Sequence, residues 1–110
     1  MIATATINLT GISGRVYTFE IYPIDTTIKP VGAVYVFTSA RPNANGGHIH
    51  NIVYIGQTGN LNERLSYHHK EGCIDRNGAN RICIRVTPNE SDRLRIEADL
   101  IAKYQPPCDG

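Results

Sequence analysis

Five residues of this 110-residue chain have types and spacing that could support hydrolysis of a phosphodiester: Tyr35, Tyr54, Arg64, His68 and Glu97. That reaction needs an activated water, positive charge at the phosphate and help for the leaving oxygen. Arginine can form two parallel hydrogen bonds to phosphate oxygens, and one carboxylate with water and phosphate oxygens is a typical environment for magnesium. A tyrosine beside positive charge loses its proton more easily than a free phenol and could accept a proton from water.

Each of these residues also has a purely structural interpretation. Tyr35 and Tyr54 could be core aromatics whose hydroxyls bond to the backbone. Arg64 and Glu97 could form a surface ion pair of little energetic value between two helices. For any one of them taken alone, the structural interpretation is favoured, because aromatic and charged residues most often serve the fold.

Hydrophobic periodicity and turn residues predict the elements that would position these side chains. The predicted elements, in chain order, are strands over 3–9 and 15–22, strands over 32–38 and 52–55 separated by a long polar loop over 39–51, a helix from Asn60 to Gly72, a strand over 81–87 and a helix capped by Ser91. This order indicates an α+β fold, in which a small antiparallel sheet with two packed helices (β-β-α-β-α) follows an N-terminal β-hairpin.

Length and composition restrict the class of protein. The chain is 12.1 kDa, which predicts a single domain over 1–110. A net charge of +1 excludes a binder that depends on a large basic excess. Residues 41–85 hold six Arg and Lys against three acidic residues, a mild basic face that suits a phosphate backbone. No apolar run has membrane-spanning length, so we expect no membrane contact and a cytoplasmic location.

The three cysteines, Cys73, Cys83 and Cys108, are an odd number without a Cys-x-x-Cys pair. This usage predicts reduced thiols in a cytosolic protein, buried as small hydrophobic side chains. An alternative is a zinc site that combines Cys73 and Cys83 with His68 and His69. Its spacing matches no standard zinc finger, which disfavours it.

The stretch from residue 54 to residue 64, Tyr-Ile-Gly-Gln-Thr-Gly-Asn-Leu-Asn-Glu-Arg, resembles the most specific motif of the GIY-YIG nuclease family. Ala33-Val34-Tyr35 is similar to the family's first motif, and residues 97–109 (EADLIAKYQPPCD) are similar to its closing helix and proline turn. The resemblance covers the chain from about residue 32 onward. We therefore expect a GIY-YIG-like core over 31–110 and a hairpin extension over 1–30. The family's spacing is kept across three elements, which favours the functional interpretation.

The resemblance implies an endonuclease that cuts DNA with one divalent metal ion, Mg²⁺ or Mn²⁺, held by Glu97. It implies that Tyr35 and Tyr54 are paired at the site and that Arg64 contacts phosphate. His68 matches a histidine of the homing-endonuclease branch. We expect Tyr35 and Tyr54 on adjacent antiparallel strands, with Arg64 and Glu97 facing the same cleft as the two hydroxyls.

Further substrate contacts are expected at Gly56 and Lys70. The expected substrate is DNA. A separate DNA-binding protein or a second copy of the chain is a possible protein partner. Two residues depart from the family pattern. Ala33 stands where the first motif has glycine, and Asp109 stands where the closing turn has asparagine. An ionised aspartate accepts hydrogen bonds only, so Asp109 would either turn into solvent or serve as a second metal ligand. These departures leave an alternative function, a nucleic-acid- or partner-binding module that has lost catalysis.

Overall fold

Five antiparallel strands and three helices form the part of the chain that our computed structural model describes, residues 5–66 and 71–108. The elements are β1 (Ala5–Thr10), β2 (Val16–Pro23), β3 (Ala33–Pro42), β4 (His48–Thr58), α1 (Leu61–Ser66), α2 (Glu71–Arg76), β5 (Arg81–Val86) and α3 (Glu90–Tyr104). The predicted α+β class is confirmed. None of the helices in the described ranges is long and apolar enough to cross a bilayer.

The strands form one sheet in the order β1-β2-β5-β3-β4. The N-terminal hairpin belongs to this sheet, because β2 pairs with β5 in a register that places Glu20 opposite Ile84. β3 pairs with both β5 and β4, and β4 forms the far edge. The Cys108 N–H donates to the Val53 carbonyl at 3.0 Å, so the chain after α3 returns to this edge strand.

Side-chain alternation along β3 divides the core into two clusters, one on each face of the sheet. Tyr35 and Phe37 point into the first cluster, where Leu61 of α1 and Ile74 of α2 pack on them. Val34 and Val36 point into the second, which α3 covers with Ile96 and Leu100. The sheet therefore has α1 and α2 on one face and α3 on the other.

The sequence prediction was wrong about the segment between β3 and β4. The expected loop over 39–51 is mostly strand, and the connection itself is short. Asn43 closes it, because its side-chain oxygen accepts from the N–H groups of Asn45 and Gly47. Most residues of these outer strand segments are polar or exposed, so they give little of the hydrophobic signal of a strand although they extend the ladder. His50 lies on β4 and its Nδ1 is 2.9 Å from the Thr38 hydroxyl.

The helical predictions need two corrections. The single helix expected from Asn60 to Gly72 is described as two short helices, α1 and α2, and Gly72 lies inside α2. Two packed helices were therefore expected where three are described. Asn60 does cap α1, since its Oδ1 accepts from the Glu63 N–H at 3.2 Å. Ser91 does not cap α3; Asn89 does, by accepting from the Asp92 N–H at 3.1 Å.

The prediction of reduced cysteines was wrong for two of the three. Cys73 and Cys108 form a disulfide that links α2 to the chain after α3, and Cys83 is free and buried. Cys83 belongs to the second core cluster, while Cys73 packs against the first. The zinc alternative therefore fails, because the sheet separates its two cysteines; His68 and His69 lie outside the described residues. Disulfides are rare in the cytosol, so the cytoplasmic location stays a prediction without support from this bond.

Candidate active site

The pairing of β3 with β4 brings the two predicted tyrosines together. Tyr35 lies opposite Gly56, and Phe37 lies opposite Tyr54. Tyr35 and Tyr54 are thus diagonal neighbours on one face, with ring centroids 6.0 Å apart. The expectation of adjacent antiparallel strands is confirmed. Both residues are buried, at 0% and 3% exposure, and their hydroxyls hydrogen-bond to each other.

Gly56 makes this close pairing of the tyrosines sterically feasible. A methyl group at its Cα would lie 2.7 Å from both Cζ and the hydroxyl oxygen of Tyr35, and 2.8 Å from Cε1 of Tyr54. These distances are shorter than van der Waals contact, so any side chain at residue 56 would displace the rings. The structure thus gives Gly56 a packing function, which is separate from the substrate contact expected from the sequence.

Arg64 reaches the tyrosines from α1, the helix that Asn60 caps. Its Nε donates to the Tyr35 hydroxyl at 3.4 Å, and its guanidinium also bonds to Tyr54. The hydrogen bond to Tyr35 is the largest influence on Arg64 and raises its pKa, so the side chain keeps its charge. Because these bonds orient a partly exposed guanidinium, its remaining N–H groups can bind an anion with little rearrangement.

The environment of Tyr35 does not make it acidic. Burial raises the pKa of Tyr35, and the hydrogen bond from Arg64 opposes this only in part. Arg64 does ease loss of the phenol proton, as expected, but its effect is smaller than that of burial, so the pKa of Tyr35 in the free protein is raised. Desolvation of a phenolate in the core outweighs one adjacent positive charge.

Glu97 approaches the same edge from the opposite face of the sheet. It lies on α3 beyond Ile96 and is partly buried. Burial raises the pKa of Glu97, while a hydrogen bond from the backbone of Gln57 and the positive charge of Arg64 oppose the change. Glu97 is thus within electrostatic range of Arg64 although their helices pack on different faces. The four residues meet around the edge strand β4. The expectation that Arg64 and Glu97 would face one cleft with both hydroxyls is therefore wrong, because α1 and α3 pack on different faces of the sheet.

The remaining predicted site residues are placed as follows. His68, Lys70 and Asp109 lie outside the described residues. Ala33 is fully buried in the first core cluster, so the methyl group that replaces the family's glycine is accommodated. An open pocket of about 260 Å³ beside Arg64 is lined by Thr58, Asn60, Glu63 and Arg64.

The carboxylate of Glu97 is the group that would bind a divalent metal at this edge. Across residues 5–66 and 71–108 no group of three or more His, Cys, Asp or Glu side chains converges on one point. Glu97 accepts a hydrogen bond from a single backbone group, which leaves lone pairs of its carboxylate available. This donor set fits Mg²⁺, which keeps several water ligands and needs few from the protein.

Sequence reasoning missed two residues of this edge, Gln57 and Arg93. The backbone of Gln57 bonds to Glu97, and its side-chain oxygen accepts from Arg93 Nε at 3.0 Å. Arg93 shares the buried stripe of α3 with Ile96 and Leu100. An arginine at an apolar position of a helical stripe was the signal that could have drawn attention to it.

Residues 31–109 match the model of the GIY-YIG catalytic domain. The chain therefore belongs to the GIY-YIG family, whose domains are in general metal-dependent nucleases that act on nucleic acid. Searches of curated proteins and of solved structures found no match.

Proposed function

We propose that this chain is a metal-dependent endonuclease that hydrolyses phosphodiester bonds of DNA. The observation that carries the proposal is the meeting of Tyr35, Tyr54, Arg64 and Glu97 at the edge strand β4. These residues come from four elements, and Arg64 bonds or interacts electrostatically with each of the other three.

In the proposed reaction Arg64 binds the scissile phosphate and stabilises the charge that develops on it. The hydroxyls of Tyr35 and Tyr54 hold the guanidinium in place. Glu97 would bind Mg²⁺ or Mn²⁺, which when bound supplies Lewis acidity at the phosphate and at water. A raised pKa of the free carboxyl is consistent with this role, because the protein itself stabilises the ionised form incompletely.

The residues outside the described ranges complete the proposal. His68 follows Arg64 by four positions and would exchange a proton with water or the leaving oxygen. Lys70 would contact a neighbouring phosphate. Gly56 has no side chain, so it would let the nucleic-acid strand approach the protein backbone at β4. Asp109 is either a second metal ligand or a solvent-exposed residue. The proposed enzyme is a single domain, 31–110 with the extension 1–30, which acts in the cytoplasm alone, as a homodimer or with a DNA-binding partner.

A plasmid-nicking assay tests this function directly. Supercoiled plasmid is incubated with the protein and Mg²⁺ or Mn²⁺, and parallel reactions contain EDTA. We expect nicking that EDTA abolishes, that Glu97→Gln abolishes and that Glu90→Gln retains, since Glu90 is an exposed glutamate of the same helix. Metal-dependent nicking by Glu97→Gln would exclude Glu97 as the ligand, and no nicking by the wild type would refute the enzyme.

The second candidate is a nucleic-acid-binding module without catalysis. The burial of Tyr35 favours it, because a buried phenol whose pKa is raised keeps its proton and so is poorly able to act as a base toward water. This module would bind plasmid DNA in a mobility-shift assay and would leave it uncut with either metal.

A further inference from the structure

Arg93 is a buried cation held by neutral oxygens. Its side chain is 6% exposed. Nη1 donates to the carbonyls of Thr87 and Pro88 at 3.1 and 2.7 Å, and Nε donates to the side-chain oxygen of Gln57 at 3.0 Å. The guanidinium is therefore fixed at the end of β5 and beside β4, where Glu97 also bonds to Gln57.

Glycines of the two motif regions form the slot that accepts this guanidinium. A methyl group at Gly32 would lie 2.7 Å from Nη1 of Arg93, and one at Gly59 would lie 3.5 Å from Nη2. Gly32 immediately precedes Ala33, and Gly59 immediately precedes the cap residue of α1. Arg93 thus lies between the segment that begins β3 and the loop that leads to Arg64.

No carboxylate of the described residues forms a salt bridge with Arg93. The salt bridge between Arg95 and Asp92 is the one found among those residues, and it is on the exposed side of α3. Nη2 of Arg93 makes no hydrogen bond to any described residue. Because no buried side-chain nitrogen or oxygen there lacks a partner, Nη2 must touch solvent.

A buried guanidinium without a carboxylate is costly unless an anion completes it. Nη2 is the group left to bind that anion, and it opens to solvent beside Gly59. Arginine is suited to phosphate, because it is weakly hydrated and always charged. We propose that Arg93 binds a backbone phosphate of the nucleic acid at Gly59, a second phosphate besides the one at Arg64.

This inference rests on the proposed function, since it assumes a nucleic-acid strand along the edge of β4. It extends that function by placing a phosphate contact on each side of the edge strand. Arg64 comes from the face covered by α1 and Arg93 from the face covered by α3. The strand would therefore cross the sheet edge, with Glu97 close to the crossing.

The salt dependence of DNA binding tests the role of Arg93, because each phosphate contact adds a fixed amount to it. Affinity is measured in EDTA, which prevents cleavage, for wild type, Arg93→Gln and Arg95→Gln. The two variants lose the same charge from the same helix, and Arg95 is exposed. For Arg93→Gln we expect the slope of log K against log salt to fall by about 0.9 on duplex DNA, or about 0.7 on a single strand. For Arg95→Gln we expect no such fall.

Equal slopes for the two variants would overturn the proposal and leave the endonuclease function intact. If Arg93→Gln fails to fold by circular dichroism, Arg93→Lys replaces it. Lysine can still donate to the Thr87 and Pro88 carbonyls, but it lacks the second terminal nitrogen that would bind a phosphate. The slope is expected to fall for this variant too, but by less than for Arg93→Gln, because lysine keeps a positive charge near the phosphate.

A separate titration with inorganic phosphate distinguishes this proposal from the proposed function. The amide of Gly59 is followed by ¹⁵N NMR in wild type, Arg64→Gln and Arg93→Lys. We expect phosphate to shift this amide in the first two proteins and not in the third. A shift that persists in Arg93→Lys would overturn the assignment. If wild type binds no nucleic acid, the proposed function fails and so does the nucleic-acid ligand, while this titration still decides whether Arg93 binds an anion.

Discussion

Substitution of Gly56 by alanine should destabilise the protein through one steric conflict. The new methyl group would lie 2.7 Å from the Cζ and hydroxyl oxygen of Tyr35 and 2.8 Å from Tyr54 Cε1. Both rings are buried, and Tyr35 also packs edge-on against Phe37 with centroids 5.9 Å apart. The rings therefore cannot move away without disturbing the core or the bond between Tyr35 and Arg64.

The size of the effect follows from the cost of overpacking. Inserting a methyl group into a well-packed core costs about 1–3 kcal/mol. For 110 residues, an unfolding entropy of about 2.1 cal/mol/K per residue gives about 230 cal/mol/K. The melting temperature of Gly56→Ala should therefore fall by about 4–13 °C. Cleavage should fall as well, because the ring that holds Arg64 is displaced.

Thermal unfolding followed by circular dichroism measures this effect, with Gly59→Ala as the matched control. A methyl group at Gly59 would meet Arg93 at 3.5 Å, an ordinary contact, so its melting temperature should stay near that of the wild type. Tyr35→Phe removes one of the two closest atoms. The double variant Gly56→Ala/Tyr35→Phe should be more stable than the sum of the single changes by about 0.5 kcal/mol or more. Equal melting temperatures for Gly56→Ala and Gly59→Ala would refute the steric argument.

Three further predictions concern the acidic residues and the disulfide. Because burial raises the pKa of Glu97, the folded protein holds the carboxyl proton more tightly than the unfolded chain does. The contribution of this carboxyl to stability is therefore full at low pH and is lost as the pH rises through its pKa in the folded protein. Glu97→Gln should therefore be at least as stable as wild type at neutral pH, by urea denaturation, while it loses cleavage; lower stability would contradict this account. Cys108→Ser opens a loop whose ends are 35 positions apart and should lower the free energy of unfolding by about 3–4 kcal/mol. Dithiothreitol should lower the free energy of unfolding of the wild type by a similar amount and should not affect the variant. Asp109→Asn should speed cleavage and weaken metal binding, measured by calorimetry, if Asp109 is a ligand that repels phosphate; no change in either quantity would place Asp109 outside the site.

The sequence predicted those elements whose residues alternate within the core. Tyr17, Phe19 and Ile21 identified β2, and all three are buried in the second cluster. The outer parts of β3 and β4 were missed, because exposed polar residues give no hydrophobic period and the ladder there depends on backbone pairing. The disulfide was missed for a different reason. Pairing of Cys73 with Cys108 requires the chain after α3 to return to α2, and no local pattern encodes that contact.

For the site, the sequence predicted which residues meet but not how they approach one another. Tyr35, Tyr54 and Arg64 lie within or next to two short motifs, so strand pairing and one helical turn determine their positions. The position of Glu97 depends on which face of the sheet α3 covers, and the motif does not indicate that face. Arg93 was missed because charged helical residues are usually solvated, and only the phase of α3 shows that this one is buried.

The two tyrosines therefore have to be distinguished by burial, although the motif presents them as a pair. Tyr35 is fully buried, and its hydroxyl contacts Arg64 and Tyr54. Because burial raises the pKa of Tyr35, this phenol holds its proton more tightly than a free one, and in the proposed reaction it orients the guanidinium. Proton exchange with water then needs a group closer to solvent. Among the residues selected from the sequence, the proposed reaction leaves Tyr54 for this step, if substrate binding uncovers its hydroxyl; the other candidate, His68, lies outside the described residues. In the proposed enzyme, Gly56 and Tyr35 thus position Arg64 on one side of the edge strand, and on the other side Glu97 would bind a cation and Arg93 an anion.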